Sequence, residues 1–253
     1  FNCTTTTTVS GAIIVNQLPS ITAQPSISSQ TKCLNQAFTS LSVGASAGSG
    51  SILKYEWYSN TTNSNTGGTL VATNTSSAVT DSYTPVSTSA GVLYYYVIAY
   101  NTNGCQIVSN VSAPFTVNDL PSISVQPSNT NQTACLNTVT TDLTVNASAG
   151  SGNISTYTWY KTSSLSGTPV WTVVATNTTS STTNTYTPAS NTVGTLYYYV
   201  VVTNSNGCTK SSSASGSVLI NPVAIINNQV DTYCSGTPFT KTLTTGGSIT
   251  VPA

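Results

Sequence analysis

The chain has no histidine, arginine or methionine among its 253 residues, and only 4% of its residues carry charge. Without histidine, neither a Ser-His nor a Cys-His nucleophile can be assembled from this sequence. The acids Glu56, Asp81, Asp119, Asp142 and Asp231 lie far apart in sequence and make no paired-carboxylate motif. The five lysines are equally scattered, and phosphate binding draws its affinity from clusters of Lys and Arg. Nucleic acid is therefore not an expected partner. No run of 18 apolar residues exists, which excludes a membrane-spanning helix and argues against membrane insertion. The six cysteines include no close CxxC pair of the kind zinc sites use, so no metal or cofactor is expected. A net charge of zero leaves long-range electrostatic steering weak. These absences together predict a chain that is not an enzyme.

What is present is hydroxyl, amide and repetition. Thr, Ser and Asn make up 111 residues, and Thr, Val and Tyr all favour a pleated surface. Lys54-Tyr-Glu-Trp57-Tyr returns as Thr156-Tyr-Thr-Trp159-Tyr. Leu93-Tyr-Tyr-Tyr96-Val continues to Asn101-Thr-Asn-Gly-Cys105, and the same text returns from Leu196 through Asn204-Ser-Asn-Gly-Cys208. Leu18-Pro-Ser-Ile repeats as Leu120-Pro-Ser-Ile. A period of about 100 residues is too long for a solenoid unit. It matches an independently folding β-sandwich.

Within one period, Phe38, Ser40, Ser42 and Gly44 alternate with Thr39, Leu41, Val43 and Ala45, a period-2 pattern that buries Leu41, Val43 and Ala45 on one face. Tyr55 and Trp57 open the next strand after a Gly48-Ser-Gly50 turn. Ser20 to Ser28 reads as an opening strand interrupted by Pro25, which suits an edge. In the tyrosine-rich run, Leu93, Tyr95, Val97 and Ala99 face one way and Tyr94, Tyr96, Ile98 and Tyr100 the other. Asn103-Gly104 predicts a tight hairpin, and Gln106 to Val117 the closing strand. No helical period of any length is present. Seven or more short strands with turns at this spacing read as an all-β, two-sheet sandwich.

These residues resemble an immunoglobulin-like domain, and the resemblance implies an all-β chain of tandem immunoglobulin-like β-sandwiches joined end to end. Its strand-B signature is matched by Leu41, Val43 and Ala45, its strand-C tryptophan by Trp57, and its strand-F signature by Tyr95, Val97, Ala99, Asn101 and Gly104. The second set is Leu143, Val145, Ala147, Trp159, Tyr198, Val200, Val202, Asn204 and Gly207. Both core cysteines of the signature have become valine. The resemblance thus implies apolar packing between the sheets about Trp57 and Trp159, with Tyr95 and Tyr198 as corner tyrosines. More narrowly, the Thr/Asn-rich text resembles tandem Ig-like repeats of very large Bacteroidetes cell-surface adhesins, including those associated with gliding motility and type IX secretion. The implied boundaries are 1–17 for the last strand of an upstream repeat, 18–118 and 119–220 for two full repeats, and 221–253 for the start of a third. That third start, Cys234-Ser-Gly-Thr-Pro-Phe239, resembles a PKD-like repeat.

Each repeat carries one cysteine before strand B (Cys33, Cys135, Cys234) and one after the hairpin turn (Cys3, Cys105, Cys208). Regular cysteines in an exported protein read as disulfides. In the implied topology those two positions lie at opposite ends of a sandwich, beyond the reach of one bond. The expectation is a bond between repeats, Cys33 with Cys208, with Cys105 and Cys135 pairing to units outside this chain. The pairs Cys33–Cys105 and Cys135–Cys208, within repeats, stay open as the alternative.

Trp171 belongs to an insertion in the second repeat and is the candidate for a contact outside the fold. The outward tyrosines are expected to cover neighbouring strands of their own sheet. Lys54 and Glu56, two apart on one strand face, can pair in solution. The resemblance implies a non-catalytic repeat segment of a bacterial adhesin, a stiff spacer or filament in surface attachment or gliding motility. It places the chain outside the cell, attached to the outer membrane. Its partners would be neighbouring repeats of the same chain and, beyond them, surface glycans or secretion and motility machinery. The alternative is a carbohydrate-binding module array of a secreted polysaccharide-degrading protein.

Overall fold

A computed structural model describes residues 11–223 and the backbone of two further strands, β19 (Phe239–Thr242) and β20 (Ser248–Val251). Among the described residues there are strands and turns and no helix. The chain divides into two compact units, Phe1–Leu120 with Asn206–Cys208, and Pro121–Ser205 with Thr209–Ala253. Residues 11–17 run without strand into the first unit. The upstream strand expected for 1–17 otherwise lies outside the described residues, as does the PKD-like start at 221–253 beyond β19 and β20.

In the first unit the strands are β1 (Ser20–Ala23), β2 (Gln30–Cys33), β3 (Leu41–Ser46), β4 (Ile52–Asn60) and β5 (Thr69–Thr75). They are followed by β6 (Thr80–Tyr83), β7 (Gly91–Asn101), β8 (Gln106–Val108) and β9 (Phe115–Asn118). One sheet has the order β1-β3-β6 and the other β2-β9-β7-β4-β5, with β8 beside β7. All pairings are antiparallel except β2 with β9. The second unit repeats this order. Its smaller sheet is β10 (Ser122–Val125), β12 (Leu143–Ser148) and β15 (Thr183–Tyr186). Its larger sheet runs β11 (Gln132–Cys135), β18 (Val218–Asn221), β16 (Gly194–Asn204), β13 (Ile154–Thr162) and β14 (Thr172–Thr178), with β17 (Thr209–Ser211) beside β16. Each unit is an immunoglobulin-like sandwich.

The core follows from the alternation. Leu41, Val43 and Ala45 on β3 face Tyr55 and Trp57 on β4 and Tyr95, Val97 and Ala99 on β7, all buried in one cluster. Leu143, Val145, Ala147, Tyr157, Trp159, Tyr198, Val200 and Val202 form the matching cluster. Valine therefore fills the positions where the immunoglobulin signature puts cysteine, and the sheets meet there by apolar contact. Fully burying such a side chain is worth roughly 1.5–3 kcal/mol. Trp57 and Trp159 are completely buried, yet each indole N–H has a partner on the opposite sheet. Trp57 Nε1 donates to Asp81 Oδ2 at 2.7 Å, and Asn74 Nδ2 donates to the same oxygen at 2.8 Å. In the second unit Trp159 Nε1 donates to Asn184 Oδ1 at 2.8 Å, where Asn177 Nδ2 also arrives at 3.1 Å. A carboxylate oxygen fills this place in the first unit and an amide oxygen in the second.

Three strand expectations differ from the structure. The opening segment is two strands: β1 pairs β3, and after Pro25 the chain crosses to pair β9 in the other sheet. Proline has no N–H for a ladder and serves as the crossing point. The run from Phe38 becomes a strand only at Leu41, while Phe38 is itself buried against Phe115 at 5.1 Å between ring centroids. The closing strand is broken between β8 and β9. There Ser109 Oγ accepts from the Val97 amide and Ser112 Oγ from the Tyr95 amide, both at 3.0 Å. Ser212 and Ser215 do the same for Val200 and Tyr198. The hydroxyls keep the amides of β7 and β16 satisfied while the neighbouring backbone bulges away.

Two substitutions test the indole acceptor. Asp81→Asn should leave the urea midpoint of the first unit close to that of the natural chain, since Asn184 holds the same place naturally. Asp81→Ala should cost about 1–3 kcal/mol by stranding the buried indole N–H, while Asn74 Nδ2 keeps its bond to Ser82 O. An Asp81→Asn cost as large as that of Asp81→Ala would show that charge, not the acceptor, is what Trp57 requires.

Candidate functional site

Among the described residues no group of three His, Cys, Asp or Glu side chains is placed to hold a metal ion. The features with chemical content are the cysteines, the hairpin that carries them, and an aromatic face.

Cys33 ends β2, in register with Asn118 of β9, and is disulfide-bonded to Cys208, the residue before β17. The Cα atoms are 5.6 Å apart across a sequence separation of 175. Cys105 and Cys135 are free thiols, so the alternative pairs within repeats, Cys33–Cys105 and Cys135–Cys208, are not formed. The reason is strand length. Along β7, the β9 end is Gly91–Leu93 and the β8 end is Ile98–Tyr100. Cys33 stands at the first end and Cys105 at the second, so about nine residues of strand separate them, roughly 30 Å at ~3.3 Å each. A disulfide tolerates about 7 Å between Cα atoms. Cys3 and Cys234 lie outside the described residues.

The cysteine-bearing hairpin is held by a buried asparagine. Asn101 is completely covered. Its Nδ2 donates to Ala47 O (2.9 Å) and Ser49 O (3.1 Å), and its Oδ1 accepts from the amides of Asn103 (3.1 Å) and Cys105 (2.9 Å). Gly104, at φ 79°, supplies the left-handed turn position. Asn204 is buried likewise, donates to Ala149 O at 2.9 Å, and precedes Gly207 at φ 78°. The Asn-x-Asn-Gly-Cys text is thus a device for presenting a cysteine at the tip of a rigid turn.

The outward tyrosines cover their own sheet, but not as simply as alternation implies. Tyr96 is 3% exposed, stacked on Tyr58 with centroids 5.1 Å apart, and its hydroxyl accepts from the Gly68 amide at 3.1 Å. Tyr100 Oη donates to Glu56 Oε2 at 2.8 Å, and Tyr58 Oη donates to the same oxygen at 3.0 Å. Lys54 Nζ meets Glu56 Oε1 at 2.6 Å and lies 4.5 Å from the Tyr100 ring centroid. The Lys54 bond holds the Glu56 carboxyl below its ordinary value, opposed by burial and helped by the two tyrosines. Burial, then the bond to Glu56, pushes Tyr100 up to about 12. In the second unit Thr158 replaces Glu56, and Tyr199 stacks on Tyr160 at 4.9 Å. Trp171, half-buried, packs edge-to-face on Tyr199 at 4.6 Å, so the residue proposed for an outside contact already has an internal one.

Other residues take roles the sequence did not disclose. Two tyrosine hydroxyls donate to backbone carbonyls, Tyr55 to Ala78 O at 2.9 Å and Tyr157 to Ser181 O at 2.8 Å. Tyr95 and Tyr198, the expected corner tyrosines, are buried and packed on Tyr83 and Tyr186. An apolar recess of about 230 Å³ in the first unit is lined by Phe38, Leu93, Tyr95, Phe115 and Val117 among others. In the second unit Thr140 and Val218 stand where its two phenylalanines would be, and a recess of about 420 Å³ lies at the corresponding residues Ser163, Val193, Gly194 and Leu196.

No family model matches the chain, and no curated protein matches it in sequence. Among solved structures, it is similar to fibronectin(III)-like modules of Clostridium thermocellum CbhA at 16% identity and a TM-score of 0.36, covering 85% of this chain and 100% of that one. It is similar to the titin domains z1z2, solved in complex with telethonin, at 13% identity and a TM-score of 0.33, over 83% of this chain and 100% of that one. The chicken CNTN1 FN1–FN3 domains match at 14% identity and a TM-score of 0.33, over 90% of this chain and 86% of that one. The fold assignment rests on the strand order given above.

Glu56 yields a pH test. Its folded pKa lies below the ordinary value of 4.5, so its contribution to stability is present above that value and lost as pH falls through the folded one. Urea midpoints of the first unit should therefore drop between pH 5 and the acid limit more in the natural chain than in Glu56→Gln. Parallel curves for the two proteins would mean the Glu56 cluster carries no linked proton.

Proposed function

We propose that this chain is a non-catalytic repeat segment of a long bacterial cell-surface adhesin, acting as a stiff spacer or filament in surface attachment or gliding motility. Support comes first from the Tyr-Tyr-Tyr-Val and Asn-Gly-Cys text of both repeats, which resembles that of such adhesins. A surface of hydroxyls and amides with 4% charge stays hydrated without attracting charged partners. The partners that suit it are neighbouring repeats, surface glycans or the secretion and motility machinery, and neither nucleic acid nor a membrane interior. A disulfide persists in an oxidising, extracellular setting. Export by the type IX route and attachment at the outer membrane fit that setting.

The observation that carries this reading is the bond across a separation of 175 residues. Tension applied to the ends of the chain reaches Cys33, crosses the two sulfurs and leaves from Cys208. Residues 34–207 lie outside that path. They include every strand from β3 to β16, and hence most of both cores. Pulling cannot lengthen the segment by unfolding these strands until the sulfur bond breaks. A spacer under load benefits from this wiring, whereas a soluble catalytic domain gains nothing from it.

Single-molecule stretching between the chain termini tests the mechanical claim. Without reductant, residues 34–207 should release no length. With reductant, unfolding of these residues should release roughly 600 Å more, taking ~3.5 Å for each step of the 175-residue separation. Two full-length unfolding events in the oxidised chain would remove the basis for a spacer. The surface role is checked separately: antibodies raised to residues 11–223 should label intact cells and lose their signal after protease shaving. Labelling only after lysis would reject it.

A further inference from the structure

The free cysteines reproduce the bonded ones. Cys33 sits opposite Asn118, and Cys135 sits opposite Asn221, each at the end of a parallel strand pair. The next amide, Leu34, donates to Asn118 O at 2.9 Å, and Leu136 donates to Asn221 O at 2.8 Å. The residue after that is a left-handed asparagine in both cases, Asn35 at φ 65° and Asn137 at φ 63°. Their amides donate to Ser87 O and Ser190 O, both at 2.9 Å. A non-glycine residue in that region is unusual, so its recurrence marks one shared backbone device. On the hairpin side, Gly104 and Gly207 differ by 1° in φ, and Asn101 and Asn204 anchor the turns by the same 2.9 Å bonds to Ala47 O and Ala149 O. The exposure of the cysteines differs. Cys33 and Cys208 are 8% and 1% exposed, whereas Cys135 is exposed and Cys105 partly so.

We infer that Cys135 and Cys105 are two complementary half-sites, each made to bond a sister repeat. Cys135 is the receptor for an Asn-x-Asn-Gly-Cys hairpin of the Cys208 type. Cys105 is the hairpin thiol for a receptor of the Cys33 type. The partner is thus another copy of this repeat, recognised head to tail, and like half-sites do not pair. Bond formation needs an oxidant, and a small-molecule disulfide such as oxidised glutathione suffices. The Cys135 thiolate attacks it, forming a mixed disulfide and releasing one glutathione thiol. The Cys105 thiolate then displaces the second glutathione, closing Cys135–Cys105 with two thiols produced for one disulfide consumed. Neither half-site depends on the surface role proposed above, only on the repeat itself.

The test uses the 253-residue chain with Cys3→Ser and Cys234→Ser throughout. One version adds Cys105→Ser and so offers only Cys135. The other adds Cys135→Ser and offers only Cys105. Non-reducing peptide maps should show Cys33–Cys208 intact in both, which reports the native fold. In a glutathione redox buffer, each version alone should remain monomeric on a non-reducing gel. Their mixture should yield a dimer whose map contains the Cys135–Cys105 peptide pair. Homodimers in the separate samples, forming as readily as the mixed dimer, would overturn the inference. So would a mixture that stops at glutathione adducts while Cys33–Cys208 stays intact.

Discussion

In each sandwich an indole N–H leaves one sheet and finds its acceptor on the other, Trp57 to Asp81 and Trp159 to Asn184. The remaining architecture leans on that contact. The ring is the largest side chain in each core and is completely dry. A donor so placed would cost about 1–3 kcal/mol if left without a partner. Supplying the acceptor from β6 or β15 fixes how the two sheets face one another, and it brings Val43 and Val97, or Val145 and Val200, into one cluster. Immunoglobulin-type domains reinforce the same place with a disulfide. Here hydrocarbon and one directional hydrogen bond hold it.

That substitution releases sulfur for another purpose. With no cysteine required between the sheets, each repeat places its two thiols at opposite ends of the long β7 or β16 strand. From there they cannot reach each other, and a bond can form only with a cysteine of another repeat. The 175-residue span of Cys33–Cys208 is the outcome. The hairpin asparagine and the left-handed asparagine after the strand-ending cysteine make both ends rigid, and such preorganisation favours one pairing over many.

Much of the fold could be read from periodicity. The alternation of Leu41, Val43 and Ala45, and of Tyr95, Val97 and Ala99, identifies strands and inward faces because side chains in a strand alternate with period 2. The 100-residue repetition then identifies the unit. Details that depend on a second strand were not legible. Tyr96 reads as outward, yet Tyr58 and Gly68 cover it, because exposure depends on neighbours across the sheet as well as on alternation. Ser109 and Ser112 read as ordinary polar residues of a closing strand. Their recurrence as Ser212 and Ser215, three apart in both repeats, was the one available signal that they bridge a break.

Composition and spacing alone thus determined an all-β array, the identity of its buried tryptophans and valines, and the exclusion of histidine-dependent chemistry. These follow from local periodicity and residue inventory, which need no partner strand. Which acceptor each indole reaches, how Glu56 gathers Lys54, Tyr58 and Tyr100, and which turn each asparagine locks were decided by tertiary structure. Each of these joins groups from strands distant in sequence, and their approach is set by sheet order and register, which no single segment encodes.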